Sequence, residues 1–432
     1  MQFIEYPNQK NYGELLARPY SADNKAHNAA QKIINQVIKD KDQALIELAA
    51  KFDNSPDMKS IQVSEKEISA ATKKVSVEMK EAINLAVNNI QKYHKAELAQ
   101  SQPVETSEGI KCWSNKIAIE KVGLYIPGGN APLFSSVLML GIPAKIAGNK
   151  EIILCTPPDR GTIDPLILFT ADLIGISKIY KAGGAQAIAA MAYGTETIPA
   201  VDKIFGPGNQ YVTAAKQILS QNMVAIDMPA GPSEVLVIAD ETAEPQFIAA
   251  DLLSQAEHGI DSQVICVTTS AKLGNQIGAV VNEQLKELPE QNRANAQSSL
   301  NSSKIIIAEN LEKAVNISNY YAPEHLIIMT RQAEEVAEKI TNAGSVFIGK
   351  FSPESAGDYA SGTNHVLPTG GWAASYSCLS VDDYMKKISF QKLSKEGLIK
   401  IGPALEKMAA AEKLQAHKNA VTVRLNKINE ES

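Results

Sequence analysis

The chain has 432 residues, 44% of them hydrophobic and 21% charged, with a formal net charge of -6. That length suits two or three hydrophobic cores, the composition is that of an ordinary soluble globular protein, and the negative balance argues against a nucleic-acid surface, which needs a basic patch. No window holds the roughly 18 apolar residues that span a bilayer, and Met1-Gln-Phe-Ile-Glu-Tyr-Pro7 lacks the basic start and apolar stretch of a signal peptide, so the expected compartment is the cytoplasm.

Residues 1–23 read as a short arm. From 24 to 100 apolar residues recur at three-to-four spacing among many Lys and Glu with few Gly, which predicts helices. Ser64-Glu-Lys-Glu67 reads as a capping box at one helix start. From about 116 the rhythm changes to short apolar, β-branched runs between helical stretches. These runs are Glu151–Cys155, Lys178–Tyr180, Lys203–Phe205, Val235–Ile238, Gln263–Val267, Lys304–Ile307, His325–Ile328 and Ser345–Ile348. Continuous apolar strands separated by helices predict parallel sheets covered on both faces. Eight such units suit two sheets, and the group after 263 is a candidate diverged copy of the first. The last fifty residues read as helical, ending in Ala420-Val-Thr-Val-Arg424.

None of the four cysteines, Cys112, Cys155, Cys266 and Cys378, forms a CxxC pair, which argues against a thiolate zinc finger. A reducing compartment also argues against disulfides. Cys155 and Cys266 lie in apolar runs and read as buried small hydrophobes. For Cys155 the alternative is a thiol that attacks an aldehyde.

Three glycine turns follow predicted strands: Gly123-Leu-Tyr-Ile-Pro-Gly-Gly129, Ala182-Gly-Gly-Ala-Gln186 and Phe205-Gly-Pro-Gly-Asn209. Glycine after a parallel strand lets the backbone approach phosphates, and the next helix N-terminus favours the anion. None completes GxGxxG, so each taken alone reads first as a structural turn. Together they suggest a nucleotide crevice, with Tyr125, Gln186 and Asn209 placed to bond the ligand.

The polar candidates come next. In Asp251-Leu-Leu-Ser-Gln-Ala-Glu-His-Gly259, Gln255 and His258 are three apart and share a helix face, which can offer an amide oxygen and an imidazole to a metal. Tyr321-Ala-Pro-Glu-His-Leu326 sets Glu324 beside His325 just before a strand, and an imidazole suits a general base near neutral pH. The stretch Ser352–Val366 is a small, polar loop carrying Asp358 and His365, of a kind that usually bears function. Glu412 and His417 are five apart, about 140° on a straight helix, so they reach one site only if the helix ends between them or if each contacts a different part of the ligand. Such His, Asp and Gln residues suit zinc or a similar divalent ion, but the spacing is dispersed and leaves the ligand set open.

With these residues in view, the chain resembles the histidinol dehydrogenase family over almost its whole length. The resemblance is carried by Gly123–Gly129, Gly206-Pro-Gly-Asn209, Asp227-Met-Pro-Ala-Gly-Pro-Ser-Glu234, Leu252–Gly259, Pro323-Glu-His325, Ser352 through Pro368 and Ala416-His-Lys-Asn-Ala-Val421. It implies a zinc-dependent homodimer that oxidises L-histidinol to L-histidine through L-histidinaldehyde with two NAD. Gln255, His258, Asp358 and His417 match the ligands of one zinc per subunit, and His325 matches the general base. Glu324 matches the residue that activates water for the second oxidation. Tyr125, Gln186 and Asn209 match the NAD contacts, while Ser233, His365 and Glu412 match groups around the substrate, which also meets the zinc ligands and His325. The implied α/β fold has two incomplete Rossmann-like parallel-sheet domains, one spanning 24–121 plus 237–379 and an NAD-binding one spanning 122–236. An arm, 1–23, precedes them, and a helical tail, 380–432, crosses to the partner's active site. Three other readings stay open: a zinc-dependent hydrolase, an aldehyde dehydrogenase using Cys155, and a non-catalytic nucleotide-binding protein that would leave Glu324 and His325 unexplained.

Overall fold

The computed structural model describes residues 1–19, 24–98, 102–128, 132–228 and 231–431. Residues 20–23 of the arm, Gly129 of the first glycine turn and Pro229-Ala230 of the Asp227–Glu234 motif lie outside the described residues. The chain forms two compact units, Met1–Ala96 with Ile119–Tyr384, and Glu97–Ala118 with Met385–Ser432. Among the described residues, no helix is long and apolar enough to cross a membrane.

The larger unit holds two parallel sheets, and all eight predicted runs are strands in them. The first sheet places Lys178–Lys181, Glu151–Thr156, Lys121–Tyr125, Lys203–Phe205 and Ala225–Ile226 side by side. Numbered along the chain this is the order 3-2-1-4-5, a doubly wound open sheet one strand short of the six-stranded dinucleotide-binding order. The second sheet repeats it: Lys304–Ile307, Gln263–Thr268, Glu234–Ala239, His325–Met329 and Ser345–Ile348 again run 3-2-1-4-5. The repeat anticipated from the strand rhythm is therefore a repeat of topology. Gln2–Glu5, read as part of an arm, adds a sixth parallel strand at the edge beside Lys304–Ile307.

Alternation along Glu234–Ala239 shows why the strand reads as one apolar run. Val235 and Val237 face one core cluster, Leu236 and Ile238 face another, and all four are fully buried. Both faces of a parallel sheet are covered, so both need apolar side chains, each worth about 1.5–3 kcal/mol when buried. The region from 24 to 100 folds as the helices Asn24–Phe52, Glu65–Lys74 and Val77–Ala96. The Ser64–Glu67 capping box is present, with each side chain bonded to the other's backbone N–H.

The turn after Lys203–Phe205 requires glycine. Gly206 sits at φ +128, and a Cβ there would lie 2.1 Å from the Tyr125 carbonyl oxygen. The turn is clamped from both ends. The Gly206 N–H donates to Asp227 at 2.7 Å, and Lys216 donates to the Gly206 carbonyl at 2.9 Å while pairing with Asp227.

The smaller unit is an antiparallel sheet, Met385–Leu393, Ile110–Ala118 and Val104–Ser107, followed by the helices Lys395–Ala411 and Gln415–Glu430. One detail differs from the helical tail read in the sequence. Met385–Leu393 is a strand: Ile388 and Phe390 alternate with polar residues, and Phe390 stacks on its cross-strand partner Trp113. Ala420–Arg424 is helical despite its β-branched residues, because Leu425 packs closely against Gly402 of the preceding helix and Thr422 bonds back to the Lys418 carbonyl. Tertiary packing overrides local propensity here.

Candidate active site

The carboxyl ends of the first sheet open into a cavity of about 990 Å³. Tyr125, Gln186 and Asn209 all line it, together with Asp53, Gly128, Gly184 and Tyr211. Each is placed by its element. Tyr125 ends a central strand, and its hydroxyl accepts from the Gly184 N–H at 2.9 Å. Gln186 lies in the first turn of Gly184–Tyr193. Asn209 caps Gln210–Ser220, accepting from the N–H groups of Tyr211 and Val212. This is the strand-order switch point, where open α/β sheets take ligands. Sequence reasoning missed Asp53, which faces Gln186 at 3.5 Å and is pushed up to about 6 by burial, against the opposing bond from Gln186. It follows the long first helix and carries no local motif. Cys155, the alternative nucleophile, is fully buried in the strand beside Tyr125, and burial pushes its thiol far above the ordinary range. A thiol so placed is inert packing.

A second cluster lies at the opposite, amino, ends of the second sheet. His325 opens its strand opposite Val235, so Glu324 and Glu234 flank it just at the sheet's edge. The helix Pro245–Ala256 starts beyond the carboxyl end and returns, bringing Gln255 in its last turn and His258 just beyond, where the His258 N–H continues the turn to the Gln255 carbonyl at 3.2 Å. Ser233 meets His258 Nδ1 at 3.3 Å. The polar stretch after Ser352 is not a plain loop. Its residues Glu354–Tyr359 form a short helix that presents Glu354 and Asp358 one turn apart. His365 is also here, 3.0 Å from the Asp358 carbonyl through Nδ1 and 3.2 Å from Ser136 through Nε2.

His325 is the centre of the cluster and is 3% exposed. Its Nδ1 faces the Glu234 carbonyl at 3.2 Å and Glu324 Oε2 at 3.5 Å, and its Nε2 lies 3.5 Å from Asp358 Oδ1. Burial by itself would lower this imidazole's pKa, but Glu324 first and Asp358 after it outweigh that and hold it well above the ordinary value. Glu354, missed in the sequence reading, is pushed up to about 8 by burial, with the neighbouring Asp358 adding to the effect and His325 opposing it.

His325, Glu354 and Asp358 offer ligand atoms within 4.8 Å of one another. Gln255 closes this group, and its amide nitrogen donates to Glu354. That leaves Gln255 Oε1 buried with no hydrogen-bond partner. A buried carbonyl oxygen left without a partner on a side chain bonded to this group fits a bound divalent cation, since an N/O donor set of this kind suits zinc. Glu412 caps one helix and His417 lies in the first turn of the next, so the helix does end between them. Both are exposed and belong to the smaller unit.

Asp251, one turn before Gln255 on the same helix, is pushed from 3.8 up to about 7 by burial. The folded state therefore binds its proton more tightly than the unfolded chain. This contribution is complete below pH 4 and is lost as pH rises through 7. The full shift corresponds to at most about 4 kcal/mol. Asp251→Asn is expected to stabilise the fold by about 2 kcal/mol above pH 7 and to change little near pH 4. Denaturant unfolding at the two pH values checks the difference.

Comparison with known proteins gives the family of the chain. The family model described as histidinol dehydrogenase matches residues 16–425. A histidinol dehydrogenase of Bacteroides fragilis is 57% identical over 429 residues, covering 99% of this chain and all of that one. The histidinol dehydrogenase of Escherichia coli strain K12 is 51% identical, covering 97% and 96%. The crystal structure of histidinol dehydrogenase from Elizabethkingia anophelis superposes with a TM-score of 0.97 at 54% identity, covering 99% of both chains.

Proposed function

The chain belongs to the histidinol dehydrogenase family, and from that premise we propose that it oxidises L-histidinol to L-histidine through L-histidinaldehyde at a zinc site completed by a second copy of itself. It is an NAD-dependent oxidoreductase of histidine biosynthesis. The observation that carries the site reading is the orphaned Gln255 Oε1, on a side chain that bonds Glu354 of the His325, Glu354 and Asp358 group. Gln255, His258 and Asp358 would hold one zinc per subunit, with His417 supplied by the partner subunit. Exposed apolar side chains on the smaller unit's two helices and the link between them, Ile399, Met408, Leu414 and Val423, support an exchanged tail. Glu412 would travel with His417 to the partner's substrate. The domain plan stays as read from the resemblance: an arm, two sheet domains and a tail from 380. The compartment is the cytoplasm, with neither nucleic acid nor membrane as partner.

Zinc held by these residues would supply a cationic anchor for the substrate, and NAD would supply the hydride acceptor for each oxidation. The protein's own groups handle the protons. His325 Nδ1 faces a carbonyl oxygen, which can only accept, so Nδ1 carries the hydrogen and Nε2 is the basic atom. Nε2 is buried with the Asp358 carboxylate 3.5 Å away, and in the neutral ring its lone pair is the one that can take the hydroxyl proton. Glu324 Oε2 is held by the Glu234 N–H at 2.8 Å, which leaves its other oxygen for a water that adds to the aldehyde. Ser233 and His365 complete the substrate's surroundings. Tyr125, Gln186 and Asn209 contact NAD at the first sheet, and burial around His325 excludes bulk water while the aldehyde stays bound.

The test is NADH formation by purified protein with L-histidinol and NAD, before and after chelation and zinc restoration. Two NADH per histidinol, lost on chelation and restored by zinc, is the expected result. No NADH from metal-loaded protein would overturn it and put zinc-dependent hydrolysis first.

A further inference from the structure

Arg18 lies in the N-terminal segment, far in sequence from the candidate site. Its guanidinium binds the Glu234 carboxylate through two parallel contacts, Nε to Oε1 at 2.5 Å and Nη2 to Oε2 at 2.9 Å. It also donates to the Tyr321 carbonyl at 2.7 Å and lies 4.0 Å from the centre of the Tyr321 ring. That ring is itself fixed, because its hydroxyl donates to Gln263 at 2.9 Å. The Gly370 N–H adds a third donor to Glu234 at 3.0 Å. A Cβ on Gly371 would lie 3.1 Å from Arg18 Nη1, so the backbone closes tightly over the guanidinium.

Glu234 is more than the partner of an arginine. Its N–H holds Glu324 Oε2 at 2.8 Å, and its carbonyl faces His325 Nδ1 at 3.2 Å. One residue's main chain thus orients both members of the candidate catalytic pair. Its side chain is 3% exposed and stands near the carboxylate of Glu324. Two buried carboxylates so close repel one another unless a cation compensates one of them. Arg18 is that cation, and its planar fork fixes orientation as well as charge.

We propose that Arg18 is a positioning residue for Glu324 and His325, acting through Glu234: it compensates the buried carboxylate and so fixes the peptide that orients both side chains. This rests on reading Glu324 and His325 as the catalytic pair.

The test uses the full-length, zinc-loaded enzyme with Arg18→Met, Arg18→Lys, Glu234→Gln and the double variant Arg18→Met/Glu234→Gln. Arg18→Met is expected to lower kcat about 10²-fold, the scale of a displacement near 1 Å. KM for L-histidinol and NAD and the zinc content should stay near those of the parent. Arg18→Lys should recover only part of kcat, since an ammonium cannot make the paired contact. The double variant should turn over faster than Arg18→Met, because the uncompensated charge is gone. A parent-like kcat in Arg18→Met, or a loss that Glu234→Gln does not relieve, overturns the proposal. If Arg18→Met does not fold, Arg18→Lys decides, and a parent-like kcat in it overturns the proposal. His325→Ala is measured alongside: full turnover there would sink the catalytic pair itself, whereas its loss beside an unaffected Arg18→Met overturns the role of Arg18 alone.

Discussion

His325→Ala is expected to lower turnover of both oxidations about 10²–10⁴-fold, the range a positioned general base contributes. Zinc content should stay near that of the parent, because Gln255, His258 and Asp358 are the proposed ligands and His325, although its ring reaches Asp358, is assigned the base. The reason is geometric. With Nδ1 engaged by the Glu234 carbonyl, Nε2 is the one basic atom of the ring, and it is buried among the groups proposed to surround the substrate. A base must be neutral to act, so the rate rises as His325 loses its proton. The carboxylates around it raise its pKa, which moves that rise above the pH expected of an ordinary imidazole. The pH profile of kcat/KM and zinc analysis of the variant check both points. Unchanged turnover in His325→Ala would remove the assignment.

Glu324→Gln separates the two steps. The amide keeps a carbonyl oxygen toward the Glu234 N–H, so the local fold survives, but the carboxylate that takes a proton from water is lost. The first oxidation should proceed while the second slows about 10²-fold or more. The stoichiometry then falls from two NADH per histidinol toward one, with aldehyde trapped by an added amine reagent. The same substitution removes the largest of the influences that raise the His325 pKa, so the rising limb of the first oxidation should move to lower pH. A variant that still yields two NADH at the parent rate would show that water is activated elsewhere.

Several features were legible locally. Ser64-Glu-Lys-Glu67 caps its helix by contacts three residues apart, so four residues of sequence contain the whole motif. The eight apolar runs are strands because a parallel strand covered on both faces needs no polar residue along it. The glycine turns also hold, and at Gly206 any Cβ would collide with the Tyr125 carbonyl. Other signals were readable but misread. Met385–Leu393 carries period-two alternation inside a lysine-rich stretch, and its strand exists because Ile110–Ala118 pairs with it, more than two hundred and fifty residues earlier. Glu354 stood within a motif already singled out, and its distance of four from Asp358 was the available clue. Asp53 and Arg18 offered no local pattern.

By itself the sequence determined what depends on neighbours along the chain: the helix starts, the buried strands, the glycine turns, the family, and the residue types that handle protons and metal. The tertiary structure decided which of these meet. Both sheets follow the order 3-2-1-4-5, which sets strands about ninety residues apart in direct contact, as at His325 opposite Val235. The first sheet opens into a cavity at its carboxyl ends, where NAD is proposed to bind. The second gathers Glu324, His325, Gln255 and Asp358 at its amino ends, the edge opposite to the one where such sheets usually bind ligands. Strand order, which no short-range pattern encodes, is also what carries Arg18 to Glu234 and the Glu234 backbone to the catalytic pair.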